Sequence, residues 1–330
     1  MKLRVGTRRS PLALTQTKQA LDELVRRSPG LSYELVEVVT TGDRIQDRPL
    51  REAGGKGLFL KELDEALLEG RIDCAVHSMK DVPTDLAPGS TMAAVLERHD
   101  PRDVLVTTQG LKLEELPAGA SIGTTSLRRQ AQALVNVPHV EIRLLRGNVE
   151  TRLRRVTAGD FDATFLAAAG LGRLGISLAP AIGVSLDPFH FVPATGQGSL
   201  AITARTGDHA TLDALAVMDH ADSRTAVTAE RGFARMFGGG CHLPLAAYAE
   251  KRGSILVLVG LMVAPDGSRS IREEVRADLA APSADGTLGN DAARAEALGE
   301  SLAQTFFARG ARDIMDMLEP SPDTGEGPSQ

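Results

Sequence analysis

Hydrophobic and polar residues alternate at the start of the chain and then recur at helical spacing. Leu3 and Val5 alternate with polar neighbours, which predicts a short strand. Ser10 followed by Pro11 is typical of a helix N-cap with proline at the first helical position, and the helix is expected to run to about Arg27. The chain therefore begins as a strand that leads directly into a helix.

The alternation of strand and helix continues through the first quarter of the chain. The pattern predicts a strand over 33–39, a helix over 59–68 and a buried strand over 72–76. This βαβ order predicts a parallel sheet with helices on both faces, and ligands bind such sheets beyond the carboxyl ends of the strands. The segment 77–83, HSMKDVP, falls at one of those ends.

The pattern begins again after residue 103 and changes near Thr211. Strands over 104–107, 120–123, 140–145 and 163–167 predict a second α/β domain. A helix from about Thr211 through Arg235, strands over 255–263 and 270–276, and a helix over 291–309 predict a small α+β domain. The last residues, 319–330, are rich in proline, glycine, serine and acid, and we expect them to be disordered.

Composition narrows the class of protein. Hydrophobic content is 42%, and no apolar run reaches the roughly 18 residues that a membrane span needs. The first residues lack the apolar core of a signal peptide, and the two cysteines form no disulfide framework, so we expect a cytoplasmic protein. The net charge of -6 and the aromatic content of 3% argue against a nucleic-acid partner.

Arginines recur where a strand leads into a helix. Three segments share this position, and they contain Arg8 with Ser10; Thr124, Ser126, Arg128 and Arg129; and Arg146, Gly147 and Arg152. Free N–H groups and the helix dipole favour an anion at a helix N-terminus, and arginine adds a bidentate partner for carboxylate or phosphate. Alternatively, each arginine is a solvated surface charge. Several such turns together predict a ligand with many carboxylates or phosphates.

Two further residues stand out as candidates for chemistry. Cys241 follows three glycines and precedes His242, Leu243 and Pro244, so its thiol could be presented on flexible backbone, or it could fill space in a tight turn. Asp81 lies at a predicted strand end beside Lys80, where it is either a proton donor or counterion, or a turn residue. The cysteine and histidine spacings match no common zinc framework, so no metal site is expected.

Eight blocks of the sequence, in this order, resemble the porphobilinogen deaminase family over nearly the whole chain. They are TRRSPLAL, GGKGLFLKEL, HSMKDVP, GTTSLRRQ, LRGNVETRL, AAAGLGRLG, GQGSLAI and ERGFARMFGGGCHLP. The family, also called hydroxymethylbilane synthase, joins four porphobilinogen molecules head to tail with loss of ammonia and releases hydroxymethylbilane. The resemblance implies the same reaction here, in haem biosynthesis, with porphobilinogen as the small-molecule partner.

The resemblance also implies roles for individual residues. Cys241 carries a dipyrromethane cofactor through a thioether, and Asp81 assists loss of ammonia and stabilises the azafulvenium cation. The other residues implied to hold the cofactor are Ser78, Lys80, Thr124, Ser126, Arg128, Arg129 and Gly147. The residues implied to bind substrate are Arg8, Ser10, Lys56, Arg146, Arg152, Arg173 and Gln197.

The fold implied by the resemblance is α/β, with two domains like those of periplasmic binding proteins around a cleft and a small α+β third domain. The expected boundaries are 1–98 with 199–215, then 99–198, then 216–318, in a monomer whose hinges lie near 97–102 and 192–197. Two alternatives remain at this point. One is a two-domain carboxylate-binding protein without chemistry, and the other is a hydrolase with Cys241 as nucleophile.

Overall fold

The computed structural model describes residues 1–41, 60–239, 243–281 and 290–318, and these ranges contain three β-sheets. The strands are β1 (Lys2–Arg8), β2 (Ser32–Val38), β3 (Cys74–Ser78), β4 (Ser90–Val95), β5 (Asp103–Thr107), β6 (Ser121–Gly123), β7 (Glu141–Arg143), β8 (Ala163–Ala167), β9 (Ile182–Ser185), β10 (Leu200–Arg205), β11 (Leu245–Arg252), β12 (Ile255–Val263) and β13 (Ser270–Asp278). The helices are α1 (Pro11–Arg27), α2 (Lys61–Leu68), α3 (Leu127–Asn136), α4 (Val149–Thr157), α5 (Ala168–Leu174), α6 (His209–Leu215), α7 (Ala221–Arg235), α8 (Asp291–Ala308) and α9 (Ala311–Asp316).

The first sheet has the strand order β2-β1-β3-β10-β4. β1 lies parallel to both β2 and β3, as the βαβ pattern predicts. The predicted parallel arrangement holds for these three strands but not for the whole sheet, because β10 runs antiparallel between β3 and β4. β10 enters this sheet from the opposite direction, since the chain reaches it only after completing the second sheet.

The second sheet has the order β7-β6-β8-β5-β9, and it is also mixed. β6 is parallel to β7 and β8, whereas β5 is antiparallel to β8 and β9. The hydrophobic pattern did not predict β4 or β9. β4 consists mostly of small or polar half-buried residues, and β9 has four residues with none fully buried, so neither gives a strong apolar signal.

The third sheet is an antiparallel meander, β11-β12-β13, with a core on each face. On one face, Phe233 of α7 and Phe306 of α8 are fully buried and their rings meet edge to face at 4.9 Å. On the other face, Tyr248 and Val259 pack in one cluster with Ala131 of α3. The small domain is therefore held against the second α/β domain by its own sheet.

The predicted single helix from Thr211 to Arg235 is wrong. The chain forms α6, a short 3-10 helix over Ala216–Met218, and then α7. His220 caps α7, since its side chain accepts a hydrogen bond from Ser223 N. Asp219 accepts a hydrogen bond from Val95 N at 2.7 Å, which fixes the bend to β4.

The fold class is the predicted α/β class, with two α/β domains and a small α+β domain. The chain crosses between the first two sheets twice, between β4 and β5 and between β9 and β10. Both predicted hinges fall in these crossovers, and their movement stays a prediction. The predicted disordered tail, 319–330, lies outside the described residues.

Candidate functional site

The carboxyl ends of β1 and β3 meet at one pocket. Its polar lining includes Arg8, Ser10, Gln16, Ser78 and Asp81. The two strands are parallel neighbours, so their ends lie at the same edge of the sheet. Ser78 Oγ donates a hydrogen bond to Gln16 Oε1 at 3.0 Å, which joins the strand end to α1. Four residues predicted from two separate motifs therefore lie around one pocket.

Ser10 is also the N-cap of α1. Its Oγ accepts a hydrogen bond from Ala13 N at 3.2 Å, and Pro11 occupies the first turn, as the sequence predicts. The cap positions Ser10 at the pocket that Arg8 also lines.

Asp81 ends a one-turn 3-10 helix, Met79–Asp81, that follows β3 directly. Its side chain is exposed at the pocket, whereas Met79 is buried and donates its N–H to Ser199 O at 3.0 Å. The turn is thus held by Ser199, the residue immediately before β10. This arrangement presents the carboxylate to a ligand in the cleft.

Lys80 points toward the second domain from the same turn. Its Nζ lies 3.5 Å from Gln197 Oε1. Burial, with smaller effects of Arg129 and Arg128, lowers the pKa of Lys80 from 10.5 to about 8, although Asp81 and Asp103 act to raise it. The ammonium therefore faces groups from both α/β domains.

His77, at the end of β3, is a buried neutral histidine. Its Nε2 lies 2.9 Å from Thr203 Oγ1, and burial, with a smaller effect of Arg8, lowers its pKa from 6.5 to about 4. A neutral ring here adds no cation beside Arg8. The structure gives His77 a structural hydrogen bond in the sheet.

Arg128 and Arg129 share one buried carboxylate, that of Asp103. Arg128 Nη1 lies 2.6 Å from Asp103 Oδ2, and Arg129 Nη2 lies 2.7 Å from Asp103 Oδ1. All three residues are buried, and the two arginines hold the pKa of Asp103 well below its usual range despite burial. Both predicted cofactor arginines thus have a counterion from their own domain.

Gln197 connects this cluster to Lys80. Its Nε2 donates to Asp103 Oδ1 at 3.0 Å and to Pro101 O at 2.8 Å. The residue is held between two glycines with positive φ, and a Cβ on Gly196 would lie 2.3 Å from Met79 Cγ. The tight turn therefore places Gln197 where both domains meet.

Thr124 and Ser126 use their hydroxyls to shape the turn before α3. Thr124 Oγ1 accepts from Ser126 N at 3.1 Å, and Ser126 Oγ accepts from Arg129 N at 3.4 Å as the N-cap. The capping interactions position the arginines of α3 at the end of β6.

A second turn in the same domain brings Gly147, Arg146 and Arg152 together. Gly147 has φ +120, where a Cβ would lie 2.6 Å from Thr151 Cγ2, and its carbonyl accepts from Arg152 Nε at 2.9 Å. Burial, with smaller effects of the nearby charges of Arg129 and Arg146, lowers the pKa of Arg152 to about 10. Arginines from two predicted anion turns therefore converge.

Arg173 lies where α5 meets the crossover before β10. It is buried, and its Nη2 donates to Gly198 O at 2.6 Å. Its own carbonyl accepts from Gln19 of α1 at 3.1 Å. Burial lowers the pKa of Arg173 to about 10. The residue joins the two α/β domains beside the cleft.

The small domain reaches the cleft through α7. Arg231 donates to the carbonyl oxygens of Val82, Pro83 and Thr84, immediately after Asp81. Beyond α7, Gly239 has φ +93 and packs against Thr84, where an added Cβ would lie 2.9 Å from Oγ1. The chain therefore approaches the Asp81 turn just before it reaches Cys241.

Two predicted site residues, Cys241 and Lys56, lie outside the described residues. The other cysteine, Cys74, is fully buried in β3. Burial, and to a lesser extent Asp73, raises the pKa of its thiol to about 12. Cys74 is therefore a core residue without a reactive thiolate.

Within the described ranges, no group of three or more histidine, cysteine or acidic side chains could hold a metal ion. None of the helices in those ranges is long and apolar enough to span a membrane.

Sequence reasoning missed three residues that shape the site: Gln16, Asp103 and Arg231. Gln16 had a signal, since it lies on the same helical stripe as Ala20 and Leu24, on the buried face of α1. No local sequence pattern marks Asp103 or Arg231, because their partners are distant in sequence.

Two family models match the chain. The model for the dipyromethane cofactor binding domain of porphobilinogen deaminase matches residues 3–213. The model for the C-terminal domain of porphobilinogen deaminase matches residues 224–308. Together they span both α/β domains and the small domain.

Curated relatives match over nearly their full length. A porphobilinogen deaminase from Syntrophotalea carbinolica is 48% identical over 320 residues, which is 97% of each chain. One from Trichlorobacter lovleyi is 44% identical over 315 residues, 96% of each chain. Among solved structures, a probable amino-acid transporter extracellular-binding protein from Bacillus subtilis is 13% identical with a TM-score of 0.40, covering 65% of this chain and 90% of that one.

Proposed function

This chain belongs to the porphobilinogen deaminase family, and from that membership we propose that it is a transferase with hydroxymethylbilane synthase activity. It joins four porphobilinogen molecules head to tail, releases ammonia at each step and frees the linear product by hydrolysis. The observation that carries the proposal is that Lys80, beside Asp81, meets Gln197, and that Gln197 bonds to the carboxylate shared by Arg128 and Arg129 of the second domain. The deaminase is favoured over a binding protein without chemistry and over a cysteine hydrolase.

The donor set of the cleft suits a dipyrromethane. Burial, and to a lesser extent the charges of Arg129 and Arg146, lowers the pKa of Arg152, so cations from two turns repel one another here. Acetate and propionate carboxylates on pyrroles would relieve that repulsion through charge-assisted hydrogen bonds. The residues proposed to hold the cofactor are Ser78, Lys80, Asp81, Thr124, Ser126, Arg128, Arg129 and Gly147. Those proposed to bind substrate are Arg8, Ser10, Lys56, Arg146, Arg152, Arg173 and Gln197.

When bound, the dipyrromethane supplies the free pyrrole carbon that receives the first substrate. Loss of ammonia breaks the carbon–nitrogen bond of the porphobilinogen aminomethyl group, and the electrons leave with nitrogen. The exposed carboxylate of Asp81 stabilises the positive charge that develops on the pyrrole. The preceding pyrrole would accept the methylene carbon and release a proton. The arginines orient the pyrrole carboxylates and so hold the reacting atoms close to one another.

Cys241 is the proposed attachment point. Cys74 is unsuited to this role, because its sulfur is buried in the first sheet and its pKa is raised to about 12. The approach of Gly239 to Thr84 supports an anchor close to the Asp81 turn. The thioether forms once, and the cysteine is then a permanent anchor with no part in turnover.

We further propose the domain boundaries 1–98 with 199–215, 99–198 and 216–318, in a cytoplasmic monomer. The net charge of -6 supports a small-molecule substrate over nucleic acid. Light scattering behind size exclusion measures the oligomeric state directly.

The proposed activity is tested by giving the purified protein porphobilinogen and measuring ammonia and linear tetrapyrrole together. We expect four ammonia molecules for each tetrapyrrole released. Binding of porphobilinogen without consumption would support the binding protein instead. Hydrolysis without new carbon–carbon bonds would support the hydrolase.

A further inference from the structure

Asp103 is the one residue of the buried cluster that both cofactor arginines and Gln197 contact. Its Oδ2 accepts from Arg128 Nη1 at 2.6 Å, and its Oδ1 accepts from Arg129 Nε at 3.2 Å and Nη2 at 2.7 Å. Gln197 Nε2 adds a fourth hydrogen bond at 3.0 Å. Its side chain is completely buried, so these groups fix its position and it fixes theirs.

The hydrogen bonds leave part of the Arg128 fork for a ligand, whereas Asp103 and Phe165 O occupy the Arg129 fork. Arg128 uses Nη1 for Asp103 and for Val192 O, and its Nε and Nη2 make no hydrogen bond to any residue in the described ranges. Arg129 directs Nη1 to Phe165 O and its other two nitrogens to Asp103. A carboxylate ligand would meet Arg128 in a preset orientation.

The same acid acts across the cleft on Lys80. Gln197 bonds to Asp103 through Nε2 and faces Lys80 Nζ through Oε1. The charged groups that act on Lys80 are Asp81 on its own turn, Asp103 at the start of β5, and Arg128 and Arg129 on α3. Two cations of the second domain therefore repel the lysine, and Asp103 offsets them.

We propose that Asp103 is a positioning residue, and this proposal rests on the proposed function. Asp103 fixes the guanidinium forks of Arg128 and Arg129 in the orientation that the carboxylates of the cofactor need. Through Gln197 it also fixes the ammonium of Lys80. Asp103 touches neither substrate nor reacting atoms in this account. An unpaired cluster of these cations would repel itself, and each would have to be oriented at the moment of binding. The buried acid removes that reorganisation.

The test compares Asp103→Asn with Asp100→Asn. Asp100 lies three residues away and bonds to Arg102 at the surface, so it controls for loss of a nearby charge. Intact mass measures the fraction of protein that carries the dipyrromethane, and kinetics on the loaded fraction measure kcat and KM. For Asp103→Asn we expect a lower loaded fraction and a drop of roughly tenfold to hundredfold in kcat/KM, mainly through KM. Asp100→Asn should match wild type.

A pH profile separates positioning from packing. The Lys80 cation is lost as pH rises through about 8, so kcat/KM of wild type should fall on the alkaline limb of the profile. Because Asp103 raises the pKa of Lys80, the limb should move to lower pH in Asp103→Asn. Asp103→Glu keeps the charge but displaces the forks, so it should restore the limb while the loaded fraction stays low.

If Asp103→Asn does not fold, Asp103→Glu decides alone through the loaded fraction and KM. Wild-type loading and KM in either variant, or a wild-type alkaline limb in Asp103→Asn, would overturn the proposal and leave Asp103 as a structural ion pair. Absence of the adduct from wild type would instead refute the proposed function, whatever the variants do.

Discussion

Arg231 Nη2 donates a hydrogen bond to the carbonyl oxygen of Pro83 at 2.6 Å. The same guanidinium reaches Val82 O at 3.1 Å and Thr84 O at 3.0 Å. One side chain of the small domain therefore holds three consecutive carbonyls that follow Asp81. The proposed anchor domain and the proposed catalytic carboxylate are joined at this point.

Replacing Arg231 with methionine should loosen that junction. Leaving buried carbonyls without donors costs about 1–3 kcal/mol, so the free energy of unfolding should fall by that amount. We also expect kcat to fall, because the Asp81 turn loses its support. Chemical denaturation and steady-state kinetics measure the two effects. Arg235→Met is the control, since Arg235 contacts Glu296 instead, and equal losses in both variants would contradict a specific role for Arg231.

Asp81→Asn should remove turnover without removing the fold. The carboxylate is exposed, and its contribution is to a charge that develops during reaction, so kcat should drop roughly 10²- to 10³-fold. Circular dichroism and the melting temperature should stay close to wild type. Asp85→Asn changes a nearby exposed acid and should keep normal kinetics. A normal rate in Asp81→Asn would leave Asp81 as a turn residue.

Glu230 of α7 joins both crossovers to the small domain. It is fully buried, accepts from Arg98 Nη1 at 2.5 Å, and accepts from Gly196 N at 2.6 Å and Ala249 N at 2.8 Å. Removing one partner of a buried ion pair costs about 3–5 kcal/mol, because the other charge is left uncompensated. We therefore expect Glu230→Gln to lower the free energy of unfolding by that amount.

The exposed pair Arg102 and Asp100 is the matched control for Glu230. Surface pairs contribute about 0–1 kcal/mol, so Asp100→Asn should have little effect on unfolding. A double-mutant cycle with Arg98→Met separates the pairing energy from the backbone bonds. If Glu230→Gln lowers the free energy of unfolding no more than Asp100→Asn does, the stability of the crossovers does not depend on Glu230.

Burial of His77 predicts sensitivity to acid. Its pKa is about 4 in the folded chain against 6.5 when unfolded, so the unfolded state binds more protons between those values. Folding stability should fall as pH drops from about 6.5 to 4, by roughly 3 kcal/mol from this residue. Urea denaturation of wild type and His77→Gln across that range measures the difference. Parallel stability curves would mean that His77 titrates normally.

Much of the site could be predicted from the sequence because its signals are local. Ser10 and Ser126 each accept a hydrogen bond from a backbone N–H three residues on, and the Gly147 carbonyl accepts one from the Arg152 side chain, so their motifs determine the turn geometry. The strand-to-helix turns then bring the arginines to the edges of the sheets. Strand and helix periodicity predicted β12 and α8 nearly to their ends for the same reason.

What could not be predicted depends on pairs that are distant in sequence. Asp103 meets Arg128 across 25 residues and Gln197 across 94, and nothing local marks it as buried. The direction of β10 likewise follows from the crossover and not from its own residues. The break at Asp219 was hidden because the flanking segments both favour helix.

The central claim is that Cys241 carries a dipyrromethane at a site served by Asp81, and intact mass spectrometry of the purified protein tests it most directly. We expect wild type and Cys74→Ala to exceed their sequence masses by one dipyrromethane unit and to give a pink-red colour with Ehrlich's reagent. Cys241→Ser should have its bare sequence mass and no activity. An unmodified mass in active wild-type protein, or an adduct that persists in Cys241→Ser, would contradict the account.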